Sequence, residues 1–128
     1  MVDWSAIKHF GPQEFSNPEL LRPELLSMLD AFREKYGRPI LITSSFRDPA
    51  HNAAVGGVPD SSHCPGSDGL YSGIDFTVGN GTFTGQELFD AVVALLAAGF
   101  KRIGLYADAK HIHVDCESRL AQKVIWIK

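Results

Sequence analysis

Apolar side chains recur at three- and four-residue intervals through residues 23–36, where Leu25, Leu29, Phe32 and Tyr36 fall on one face of a predicted helix. Pro23 suits its first turn, because a missing N–H costs nothing there, and Gly37 stops it. A second helix is predicted from Thr84 to Ala98, where Thr84 and Glu87 match a capping box and Gly99 follows the last turn. Short β-branched runs predict strands at Ile40–Thr43, Gly73–Val78, Arg102–Tyr106 and His111–Asp115. The last two are joined by Ala107–Lys110 as a hairpin, and Val124–Ile127 reads as a final edge strand. Asp48-Pro49 opens a short helix through Val55, which Gly56-Gly57 closes. Helices and strands do not alternate regularly, so the expected class is α+β: a small, largely antiparallel sheet with helices packed on one side. Residues 1–22, interrupted by Pro12 and Pro18, read as an N-terminal arm that Trp4, Phe10 and Phe15 pin to a single domain spanning residues 1–128.

Composition narrows the possible partners. With 128 residues and 45% of them hydrophobic, the chain can bury a core of its own. A net charge of -3, with twelve scattered Lys and Arg, argues against a nucleic-acid partner, which needs a concentrated basic surface. The longest apolar stretch, Ala91–Phe100, is too short for insertion into a membrane. Met1-Val2-Asp3-Trp4 lacks the basic patch and apolar run of a secretory signal, so the expected place of synthesis is the cytoplasm, with delivery by another route. Cys64 and Cys116 do not make a disulfide framework. They are open to three readings, buried thiols, a bracing disulfide or metal ligands, of which the first is preferred because free cysteine is commonly buried.

The chemistry-bearing residues gather in two places. Ser44 to Ser72 is a long segment rich in Gly, Pro, Ser and Asp, and it holds Arg47, His51 and His63. A segment of that length without regular structure in a compact chain points to function. The second place is His111-Ile112-His113-Val114-Asp115. Alternation along a strand puts His111, His113 and Asp115 on one face and Ile112 and Val114 on the other. One imidazole there can bind a metal while the other stands over a reacting group. Together with His63 and Asp75, His113 completes two histidines and a carboxylate, the ligand set of catalytic zinc.

The stretch Ile40-Leu-Ile-Thr-Ser-Ser-Phe-Arg47, followed by His51-Asn52-Ala-Ala-Val-Gly56-Gly57, Ser61-Ser62-His63, Gly73-Ile74-Asp75 and His111-Ile-His113-Val-Asp115, resembles the M15 family of zinc D-alanyl-D-alanine peptidases and phage endolysins. The resemblance runs from about Phe15 to Asp115, with every motif in family order. It implies the α+β fold shared with the Hedgehog signalling domain, and a Zn2+ held by His63, Asp75 and His113. It also implies His111 near the attacking water as general base and Arg47 as the substrate-orienting residue. Many members carry an acidic residue three places before the last ligand, where this chain has Lys110, so Asp108 stands as a weaker alternative base. The loop from Cys64 to Ile74 is longer than the family's, which makes Asp68 an alternative ligand. Asp75 is preferred because a strand holds a ligand more rigidly, and Asp68 and Tyr71 are then expected at the rim of the groove.

The function so implied is hydrolysis of peptide bonds in bacterial peptidoglycan, by a D,D-carboxypeptidase or endopeptidase, as a phage or prophage endolysin or a tail component acting at the wall after release. Two other classes stand beside it. A non-catalytic wall- or protein-binding module on the same fold suits Lys110 and the stretched loop. A metal-dependent phosphoesterase is disfavoured, because such sites often hold two metals and more carboxylates.

Overall fold

The computed structural model describes residues 1–128. Helix α1 spans Pro23–Tyr36 and strand β1 Ile40–Ser44. The short helix α2 covers Pro49–Ala54, strand β2 Gly73–Val78 and helix α3 Gly85–Ala97. Strands β3, Arg102–Leu105, β4, Ile112–Asp115, and β5, Val124–Ile127, complete the chain. The helix ends obey the sequence: Gly37 closes α1 with φ +73°, and Thr84 caps α3 through the reciprocal Thr84–Glu87 bonds.

The five strands form one sheet in the order β1-β2-β4-β3-β5. Neighbours are antiparallel except β5, which lies parallel to β3 at the edge. The α+β expectation therefore holds, with helices α1 and α3 packed against one face of the sheet and against each other. Ile74, Phe76 and Val78 from β2, Ile112 and Val114 from β4, and Ile103 from β3 all point into that layer. They meet Leu25, Leu29 and Phe32 of α1 and Ala91 and Leu95 of α3, with the Phe32 and Phe76 rings 5.2 Å apart. The N-terminal arm closes over one end of this core, where Phe10 and Phe15 are buried and the Trp4 ring lies tilted 5.9 Å from that of Phe15.

The opposite face of the sheet is polar, and it carries the chemistry. Alternation sends Asp75, His113, Asp115 and Arg102 to that side while their neighbours enter the core. Register does the rest: Ser44, Asp75, His113, Gly104 and Trp126 are consecutive partners across the five strands. Directly opposed residues bring their Cβ atoms to about 5 Å, so Asp75 and His113 are neighbours by pairing alone.

Candidate metal centre

Three donor atoms converge on this face. His113 Nδ1 lies 2.8 Å from Asp75 Oδ1, and His63 Nε2 lies 3.1 Å from the same oxygen. All three residues are buried, and their donors lie within 4.8 Å of one another. His63 comes from the long loop, which is tied to the end of β1: Arg47 N–H donates to His63 O (2.9 Å) and His63 Nδ1–H donates to Ser45 O (2.7 Å). That bond fixes the His63 tautomer and leaves Nε2 free to ligate.

His113 is oriented by the same device. Its Nε2–H donates to Asp115 Oδ2 (2.8 Å), which turns Nδ1 toward Asp75. Asp115 is itself held by Arg102 Nε (2.7 Å) and by the Glu117 N–H (3.0 Å), with Ser62 Oγ at 3.3 Å. A carboxylate behind a ligating imidazole raises its basicity and locks its ring, and here that carboxylate is completely satisfied. Tyr106 performs the matching task for Asp75: its hydroxyl donates to Oδ2 (2.8 Å), leaving Oδ1 facing the two imidazoles. Arg47 Nη2 stands 3.7 Å from Asp75 Oδ2, and its Nη1 reaches Asn52 Oδ1 at 3.4 Å.

The electrostatics follow from burial and these contacts. Burial would push the Asp75 carboxyl up, but the His113 and His63 imidazoles on either side of Oδ1 outweigh it and hold the group far below the usual carboxylate range. Burial lowers His63. Burial opposes charge on His113 too, yet Asp115 and Asp75 on either side raise it above an ordinary histidine. Burial and the Asp75 charge raise the Tyr106 phenol, so it stays a donor.

Two imidazole nitrogens and one carboxylate oxygen fit a metal ion. Tetrahedral zinc, with ligands at about 2.0–2.1 Å, needs its donors roughly 3.3 Å apart, close to the spacing found. The sulfurs of Cys64 and Cys116 stand outside the group; both thiols are free and half-buried. Asp68 is also elsewhere, paired with Arg22 at 2.9 Å. Tyr71 is a correction to the expected rim: it is fully buried, and its hydroxyl donates to Ser16 O (2.9 Å). The cause lies in the arm, where Leu21 pairs with Tyr71 as an isolated parallel bridge and covers it.

His111 stands one residue before β4, half-buried, with its ring 5.1 Å from that of Tyr106. It is outside the converging trio but one ring removed from Asp75. Asp108 is exposed and accepts from the Lys110 N–H. The sequence alone marks Asp115 and Ser62 only as members of motifs, and gives Arg102 and Tyr106 no role beyond the ends of a strand. The signal available for Arg102 and Tyr106 is alternation: with Gly104 they share the period-two face opposite Ile103.

Beside the two imidazoles lies a groove of about 210 Å³, lined among others by Arg47, Val58, Ser61, Leu120, Trp126 and Lys128. No helix is long and apolar enough to cross a membrane. Comparison with curated proteins finds no match. The family model described as Peptidase M15 matches residues 5–115, a span that contains all three converging donors. The chain therefore belongs to the M15 family of metal-dependent peptidases.

Proposed function

We propose that this chain is a zinc-dependent peptidase that hydrolyses peptide bonds of bacterial peptidoglycan, as a D,D-carboxypeptidase or an endopeptidase. The observation that carries the reading is the convergence of His63 Nε2, Asp75 Oδ1 and His113 Nδ1 within a peptidase family. Zinc bound there supplies Lewis acidity, lowering the pKa of water and polarising a carbonyl. The remaining work falls to side chains. His111 serves as the general base: it takes a proton from the attacking water and delivers it to the leaving amine. Its contact with Tyr106 holds it beside the ligand carboxylate. Arg47, which lines the groove, presents a guanidinium whose fork suits a substrate carbonyl or carboxylate. A phage or prophage endolysin, or a tail component, is the setting in which such an enzyme reaches the wall after release.

Isolated peptidoglycan incubated with the purified protein tests this. New peptide termini, identified by mass spectrometry, should vanish with a chelator and return with zinc. Absence of cleavage across several wall types, by protein carrying one zinc per chain, would sink the enzyme reading.

One observation favours a second reading, a wall-binding module on the same fold. Lys110, exposed, occupies the position where many relatives carry an acidic residue. His111→Ala separates the two: a peptidase loses turnover, whereas a binder keeps its affinity.

A further inference from the structure

The family match ends at residue 115, yet the groove does not. Leu120, Trp126 and Lys128 of the segment that follows also line it, and the largest of these side chains is Trp126 on β5. Trp126 is placed by three independent contacts. The parallel register sets it beside Gly104, whose bare Cα makes room for the ring: a Cβ there would lie 2.9 Å from two indole carbons. The Arg102 guanidinium sits 4.9 Å from the indole, and the same arginine is fixed by Asp115 and by Ala121 O (2.6 Å). The indole then stands 5.7 Å from the His113 ring. A ring held this way is rigid, and Val58, Leu120 and Trp126 are the only apolar side chains lining the groove.

We infer that Trp126 is a specificity-determining residue, forming the apolar wall that receives the side chain of the substrate residue next to the scissile bond and limits it to a small aliphatic group such as the methyl of alanine. The inference rests on the peptidase reading. Size supports it, because about 210 Å³ lies below the roughly 300–1,000 Å³ of pockets that take larger ligands. Position supports it as well, because the indole lies 5.7 Å from the His113 ring and the groove it lines also takes in His63 and Arg47.

The test compares two synthetic acylated peptides, one ending in D-Ala-D-Ala and one in D-Ala-D-Leu, with the zinc-loaded protein. The native chain should prefer the alanine peptide in kcat/KM, and Trp126→Ala should shrink that preference roughly tenfold or more, the scale set by added methylenes in a fitted pocket. KM for the alanine peptide should rise more than kcat falls, with one zinc per chain retained. Trp126→Phe, which keeps an aromatic in place, should give an intermediate ratio and covers the case in which the alanine variant fails to fold. An unchanged ratio in a folded, zinc-loaded variant overturns the inference while leaving the peptidase reading intact. If the zinc-loaded native chain cleaves neither peptide, that reading fails instead. The wall is then judged by fluorescence of a Trp4→Phe chain, in which Trp126 is the sole indole. A saturable emission change, stronger for the alanine peptide, then keeps Trp126 as a binding wall but overturns its place beside a scissile bond, and no change overturns the wall as well.

Discussion

Asp115 touches no donor atom of the metal group except through His113, and its removal should show how much orientation is worth. Asp115→Asn keeps the shape but takes away the charge that both Arg102 and the His113 imidazole face. The expected outcome is a 10–100-fold loss of zinc affinity by competition titration, the usual penalty for losing the carboxylate behind a metal-bound histidine. His113→Ala, which removes one of the three proposed ligands, should abolish stoichiometric binding outright. Equal affinities for Asp115→Asn and the native chain would show that packing alone orients the ring. Cys116 offers a second test at this scale. Burial pushes its thiol up to about 11, against an ordinary value of 9.0. The reactive form is the thiolate, so at pH 8 the folded protein should hold roughly 100-fold less of it than an unperturbed thiol. In a Cys64→Ser background, iodoacetamide should label Cys116 far more slowly in the native chain than in urea. The native rate should keep climbing with pH beyond 9. Equal rates folded and unfolded would contradict the burial that raises this thiol.

At the level of elements, the clearest local code is the start of α3. Thr84 Oγ1 accepts from the Glu87 N–H at 3.1 Å, and Glu87 Oε1 accepts from the Thr84 N–H at 2.9 Å. Thr84→Ala should cost about 1 kcal/mol, read as a lower urea midpoint with an unchanged slope. A loss below a few tenths would mean that packing of Ala91 and Leu95 alone holds the helix end. This code explains which elements were legible in the sequence. Helix α1 was predicted as Pro23–Tyr36 and β2 as Gly73–Val78, and both are found so. Their limits are set by neighbours in the chain, namely proline at a first turn, glycine after a last one, and β-branched runs between turn residues. His63, Asp75 and His113 were legible for a related reason, since loop and strand placement bring the donors together once the register is fixed. Tyr71 was misread because a tyrosine among Gly, Ser and Asp looks like a rim residue. Its burial depends on the arm some fifty residues earlier. The parallel pairing of β5 with β3 was equally silent, because an edge strand takes its direction from the space left by the other four.

For the whole molecule, the division of the sheet into two faces decides how metal and folding are coupled. The apolar layer lies between the sheet and helices α1 and α3, and none of the three donors belongs to it. Without metal, most of the donors keep partners of their own: Asp75 accepts from His113 and from Tyr106, His113 also holds Asp115, and His63 keeps Ser45 O. The chain should therefore remain folded when stripped, unlike small zinc modules that have no core and unfold without metal. Zinc should still stabilise it, because binding to the native state alone adds free energy by mass action, about 2.7 kcal/mol at a hundredfold excess over Kd. For a chain of this length that corresponds to a rise of roughly 10 °C in Tm. Thermal unfolding after chelation and again with added zinc reads both claims in one series. A cooperative transition for the stripped protein, moving upward with zinc concentration, is the expected result. The increment should disappear in His113→Ala, whose stripped transition should stay cooperative but fall, because the substitution leaves Asp75 and Asp115 buried without their shared partner. Loss of all cooperativity on chelation would mean that the metal ties the two faces into one folding unit, and that the apolar layer is insufficient without it.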